Sequence, residues 1–195
     1  GIIKDNISKK VRSQYEENPY PRWRFDNPSE NLKYSALSLI NTEIKPNSTS
    51  SDSLSAEIKV LIAGCGTGKQ ILQTQRYKNA QITAIDLSRS SLSFAQRRIN
   101  ELGIKNVNLI QMDILDVDLL NENYEIIECC GVLHHMEKPI KGLKALLNIL
   151  KPNGFMKLAL YSELSRQTVV RAREFIKCRD LQPNIDSMRN LRKDI

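Results

Sequence analysis

No two cysteines stand at CxxC spacing in these 195 residues, and the only two histidines, His134 and His135, lie at no ligand spacing from any cysteine. The four cysteines, at 65, 129, 130 and 178, therefore argue against both a structural zinc site and a disulfide framework. They read as reduced, mostly buried thiols, and no metal is expected. No apolar run approaches the roughly 18 residues that a membrane span needs. The opening Gly1-Ile2-Ile3-Lys4-Asp5 has no hydrophobic signal region. The expected compartment is the cytoplasm, with no membrane association. An initiator methionine is also lacking, so residue 1 reads as an internal or processed start. There is no internal repeat and no heptad pattern.

What is present is ordinary globular material, 41% hydrophobic and 26% charged. The net charge of +7 is unevenly spread: 8 basic and 6 acidic residues in 1–45, 13 and 12 in 46–165, 8 and 4 in 166–195. More than half of the excess thus sits in the last thirty residues. A basic tail of this density reads first as a solvated helix face, which leaves nucleic acid a possible partner but not the favoured one.

Six of the eight residues from 48 to 55 are serine or threonine, within a polar stretch running from Asn41 to Ser55 that reads as a loop or linker. Beyond it the pattern becomes regular. Short apolar, β-branched runs at 58–63, 81–85, 107–112, 125–130 and 155–161 predict strands. Helical spacing predicts helices over 69–77, from Ser88 as N-cap to Leu102 with Gly103 as a left-handed stop, over 138–150 ended by Lys151-Pro-Asn-Gly154, and over 165–178. Strands alternating with helices imply right-handed crossovers and an α/β, doubly wound, mostly parallel Rossmann-like sheet with helices on both faces. Ligands of such sheets bind beyond the carboxyl ends of the strands, near the point where strand order reverses.

The first strand ends in Val60-Leu-Ile-Ala-Gly64-Cys65-Gly66-Thr67-Gly68-Lys69. Glycines 64, 66 and 68 allow a sharp turn and close ligand approach before a helix starts, where N–H groups would favour a carboxylate or phosphate. The alternative is a tight strand-to-helix turn with no ligand. The dinucleotide fingerprint wants its third glycine at 69, where this chain has Lys69. Asp86 closes the second strand 22 residues after Gly64 and is placed to accept hydrogen bonds from ribose hydroxyls. Asp113 ends the third, where a carboxylate can take an adenine amine and the aliphatic Ile114 can cover the ring. Each acid alone could equally be a cap or an ordinary strand end. Three strand ends in order form a more specific signal than any one.

With those residues in place, the chain resembles the class I S-adenosylmethionine-dependent methyltransferases over about residues 58–178. Val60–Gly68, Ile82–Ser88, Gln111–Ile114 and Tyr124–His135 stand at the family's usual motifs. Gln14–Trp23 and Tyr161-Ser-Glu-Leu-Ser165 are similar to methyltransferase domains found behind tetratricopeptide repeats in bacterial proteins. The family's seven strands exceed the five legible here, so the chain reads as a fragment missing the last two. The resemblance implies a core at 58–178, preceded by a helical or lid segment at 1–40 and a linker at 41–57. A truncated basic helical segment at 179–195 follows.

What the resemblance implies chemically is S-adenosyl-L-methionine as cofactor, held by Gly64, Cys65, Gly66, Thr67, Gly68, Asp86, Leu87, Asp113, Ile114 and Cys130. A methyl group would pass to a small-molecule or protein acceptor by in-line displacement, mostly through alignment. At most one of His134 and His135 would serve as base or orient substrate, since adjacent side chains are expected to diverge. Ile62 departs from the acid many relatives carry there to hold the methionine amino group. The Asx-Pro-Pro-aromatic motif of nucleic-acid amino methyltransferases is absent, with Cys129-Cys-Gly-Val132 in its place. Tyr20-Pro-Arg-Trp23 is either a lid over substrate or a pin onto the domain. A module that binds the cofactor or a partner without turnover is the alternative function, and a nicotinamide oxidoreductase is disfavoured by Lys69. The oligomeric state is left open.

Overall fold

A computed structural model describes residues 3–23, 33–50, 54, 56–179, 187 and 189. Its strands are β1 (Ile58–Ala63), β2 (Ala80–Asp86), β3 (Val107–Gln111), β4 (Tyr124–Cys130) and β5 (Leu150–Ala159). They form one sheet in the order β3-β2-β1-β4-β5, with every neighbouring pair parallel. The helices are α1 (Asn6–Glu17), α2 (Ala36–Glu43), α3 (Lys69–Thr74), α4 (Arg89–Glu101), α5 (Pro139–Asn148) and α6 (Gln167–Cys178). Two compact units are distinguished: residues 1–160, which contain the sheet, and residues 161–195, which contain α6.

Period-two alternation explains why β1 lies at the centre. Val60 and Ile62 point to a core shared with Ile71 of α3, Leu92 and Ile99 of α4, and Leu39 of α2. Leu61 and Ala63 point the other way, to Ile127 and Cys129 of β4 and Leu146 of α5. A strand buried on both faces must read as an unbroken apolar run, which is the sequence of residues 60–63. Full burial of each large aliphatic side chain contributes roughly 1.5–3 kcal/mol.

Local capping sets where the helices begin. The Asp5 carboxylate accepts from Ser8 N at 2.7 Å to start α1, and Ser88 Oγ accepts from Ser91 N at 3.0 Å to start α4. Gly103, at φ +66°, follows α4 in the left-handed conformation the sequence predicts. Two elements differ from expectation. Helix α3 stops at Thr74 rather than 77, because Tyr34 N donates to Arg76 O and Lys78 N donates to Tyr34 O, both at 2.8 Å, drawing the chain into an extended bridge. Strand β5 starts at Leu150, not Phe155. Tyr124 pairs with Leu150 and Ile126 with Phe155, so three extra residues of the Lys-Pro-Asn-Gly run (155 − 150 against 126 − 124) bulge out between two paired stretches.

The polar stretch is entered by α2, which runs to Glu43; Asn41 then ties it back by exchanging hydrogen bonds with Thr49 at 2.9 and 2.8 Å. Residues 51–53 and 55 of the expected linker, 24–32 of the expected lid segment and most of 180–195 lie outside the described residues.

Candidate cofactor site

Strand order reverses between β1 and β4, and the carboxyl ends of both open on the loop Gly64–Gly68. All three glycines have positive φ, at +82°, +52° and +90°. A Cβ on Gly64 would collide with the Val132 side chain, and one on Gly66 would meet the Tyr20 carbonyl oxygen at 2.5 Å. The turn is therefore closed to larger residues by conformation and by neighbours at once.

The donors of residues 64–68 are engaged within the protein. Gly64 N and Cys65 N donate to Ile85 O at 2.9 Å, Gly66 N to Asp86 Oδ2 at 2.8 Å, Thr67 N to Tyr20 O at 3.2 Å and Gly68 N to Cys65 O at 3.0 Å. Each of these five N–H groups is thus satisfied within the protein, because the turn is tight enough to bring carbonyls and Asp86 to it. What these five residues offer a ligand is close approach.

Asp86 is the electrostatic centre of this turn. Its Oδ2 takes Gly66 N and its Oδ1 takes Ser88 N at 2.9 Å. A carboxylate has about four acceptor positions, so some remain for hydroxyl donors. Burial pushes the Asp86 carboxyl up from its ordinary value, while the Ser88, Gly66 and Leu87 backbone donors pull it back. Asp113 is buried at the end of β3, where its Oδ1 accepts from Leu115 N at 3.0 Å and starts a 3-10 helix over Ile114–Leu120. Ile114 is buried in that helix.

Gln111, which sequence reasoning passed over, links the β2 and β3 ends. Its Nε2 donates to Leu87 O at 3.0 Å, and its Oε1 accepts from Arg89 Nε at 2.9 Å. Only the side-by-side pairing of Asp86 with Gln111 reveals it.

The segment Tyr20–Trp23 is held on the glycine loop. Thr67 Oγ1 donates to Pro21 O at 2.6 Å and accepts from Trp23 Nε1 at 3.1 Å. The Trp23 ring is buried, edge-on to Phe94 at 5.8 Å, with the Arg98 guanidinium 4.8 Å above it. Of its two weighed roles, Trp23 has the pin; its ring is not available to stack on a substrate. Tyr20 is exposed. Gly66→Ala should cost about 2 kcal/mol or more, from left-handed strain and displacement of the Tyr20 carbonyl. Urea unfolding of the variant checks this.

At the end of β4, Gly131 has φ +76° and open space where a Cβ would stand. The adjacent 3-10 helix Leu133–His135 places the His134 and His135 rings against each other, centroids 4.2 Å apart and tilted by 59°. The expected divergence of the pair is thus corrected: the two rings lie against each other although neighbouring residues of a 3-10 turn leave the axis about 120° apart. Cys65 is buried, and burial raises its thiol well above the ordinary value. The Cys130 thiol is raised by burial and then by the charge of Glu128. Neither has the depressed pKa of a nucleophile. Among the described residues, no group of three His, Cys, Asp or Glu side chains could hold a metal ion, and no helix is long and apolar enough to cross a membrane.

A five-stranded parallel sheet of this order, with a glycine turn and an acid on the next strand, defines a Rossmann-like fold that binds an adenosine-containing ligand at its switch point. Residues 60–154, just under half of the chain, match the family described as a methyltransferase domain. An uncharacterized protein of Synechococcus sp. is 37% identical over 120 residues, which is 60% of this chain and 29% of that protein. The ubiquinone biosynthesis O-methyltransferase of Photobacterium profundum is 28% identical over 108 residues, 55% of this chain and 44% of the enzyme. Among solved structures, PKMT2 from Rickettsia typhi in complex with AdoHcy superposes with a TM-score of 0.55 at 28% identity, covering 62% of this chain and 24% of that one. In each case the chain spans less than half of its relative.

Proposed function

We propose that the chain is the catalytic domain of an S-adenosyl-L-methionine-dependent methyltransferase whose acceptor is a small molecule or a protein. The observation that carries this is Asp86: a half-buried carboxylate beside the switch point, anchored by two backbone donors with acceptor positions to spare. The residues fit the cofactor. Asp86 would take the ribose hydroxyls and Asp113 the adenine amine, with Leu87 and Ile114 against the ring. The turn from Gly64 to Gly68 and Cys130 would flank the methionyl end, and the space at Gly131 admits it. When bound, the cofactor supplies a methyl group activated by a sulfonium centre.

The chain's own work is then to align and to desolvate. Thr67 and the Trp23 pin keep the turn rigid, and one histidine of the His134–His135 pair would orient the acceptor or take its proton. The complete protein is proposed to carry tetratricopeptide repeats beside this domain, on the likeness of Gln14–Trp23 and Tyr161–Ser165. A core at 58–178 between an N-terminal segment (1–40), a linker (41–57) and a basic C-terminal segment (179–195) is the proposed division. The cytoplasm is the proposed compartment, supported by four free thiols.

Calorimetric titration with S-adenosylhomocysteine, followed by transfer from methyl-labelled S-adenosylmethionine to candidate acceptors, tests the reading. One-site saturable binding and label transfer are expected. Absence of binding by the folded protein overturns it, and binding without transfer to any acceptor favours a non-catalytic module.

A further inference from the structure

Glu128, the fifth residue of β4, is 4% exposed and ends on neutral groups only. Its Oε1 accepts from Tyr77 Oη at 3.0 Å and its Oε2 from Gln70 Nε2 at 2.7 Å. Among the described residues no lysine, arginine or histidine nitrogen lies within 4.0 Å of it. Lys157 is its register partner on β5, yet the ammonium of Lys157 goes to Glu43 at 2.8 Å. Carboxylates this deeply buried are normally compensated by a cation. Two neutral donors fill only part of its roughly four acceptor positions.

Location gives that deficit a meaning. Glu128 is in register with Ile62, two residues before Gly64, on the side of the sheet where α3 packs. Gln70, in the first turn of α3, bridges Glu128 to Cys130, its Nε2 being 3.5 Å from Cys130 Sγ. The carboxylate therefore lies directly behind the β4 mouth, on the far side of the glycine turn from Asp113. The burial of Tyr77 and the charge of Glu128 beside it both raise the Tyr77 hydroxyl, so this tyrosine stays a neutral donor. On the cofactor reading above, the β2 and β3 ends would face the adenosine, which would leave the β4 end for the amino-acid moiety. A carboxylate there repels that moiety's carboxylate and attracts its ammonium.

We infer that Glu128 is a positioning residue that holds the α-ammonium of the methionyl moiety, with Gln70 yielding one of the two hydrogen bonds it now occupies. The inference rests on the methyltransferase reading above. Nothing on β1 competes for the task, since Leu61, Ile62 and Ala63 are all apolar.

The test compares S-adenosylhomocysteine with its des-amino analogue, in which only the α-amino group is replaced by hydrogen. Both lack the sulfonium, so the comparison isolates the ammonium. Calorimetry on the unmodified protein should show a preference for S-adenosylhomocysteine of about tenfold or more. Glu128→Gln should reduce that preference to near unity while leaving affinity for the des-amino analogue unchanged. Equal binding of the two ligands by the unmodified protein overturns the inference, as does an equal loss of both in the variant. Should Glu128→Gln not fold, Tyr77→Phe decides: removal of one neutral donor should raise the preference, and an unmoved preference overturns the role. Failure to bind either ligand would instead overturn the cofactor reading itself.

Discussion

Trp23→Ala should lower stability by about 3–5 kcal/mol, the cost of emptying a buried aromatic site. That corresponds to a fall in melting temperature on the order of 10 °C. Several interactions go together: the edge-on contact with Phe94, the Arg98 guanidinium above the ring and the donor to Thr67. The damage should also reach the cofactor turn, because Thr67 is the residue through which the Tyr20–Trp23 segment grips it. Trp23→Phe should recover most of the packing but not the hydrogen bond. Trp23 is the sole tryptophan, so the emission of the unmodified protein reports on this contact alone. A blue-shifted emission that moves red in the same denaturant range as the far-ultraviolet signal is the expected result. Thermal melts of Trp23→Ala within a degree of the unmodified protein would show that the pin does not contribute to stability.

Asp86→Ala should weaken S-adenosylhomocysteine binding by about 1–3 kcal/mol, roughly five- to 150-fold. Its removal also strands Gly66 N and Ser88 N, so some loss of stability accompanies the loss of affinity. The acid dependence follows from the direction of its shift. Folded Asp86 holds its proton to higher pH than an ordinary aspartate, chiefly because burial penalises the charged form. Ribose hydroxyls donate to the carboxylate, not to the protonated acid's hydroxyl. Affinity should therefore fall as pH drops through a value above the ordinary 3.8, and the same raised value makes ionisation of Asp86 a cost to stability as pH rises through it. Titrations across mildly acidic pH in the unmodified protein and in Asp86→Asn check this. A flat profile in the first, or an identical slope in both, removes Asp86 from the ribose position.

Strand positions, the doubly wound class and the glycine turn were legible in the chain itself because each depends on near neighbours. The apolar run Val60–Ala63 can only be a strand buried on both faces, Ser88 caps its own helix, and Gly103 stops it. The start of β5 was not legible, since a bulge around Lys151–Gly154 is decided by pairing with Tyr124 and Ile126. The early end of α3 belongs to Tyr34, forty residues away from it.

The site divides along the same physical line. Sequence alone determined the type of chemistry, because the glycines and the acids at 86 and 113 are spaced by the β-α-β repeat that carries them. Only the tertiary structure decided how those groups are engaged. It paired every N–H of the glycine turn internally, laid the His134 and His135 rings together, pinned Trp23 on Thr67, and set Glu128 beside Ile62 with neutral partners. Hydrogen-bond partners 44 to 58 residues apart leave no trace in local spacing, whereas period and capping are written within one turn or one strand.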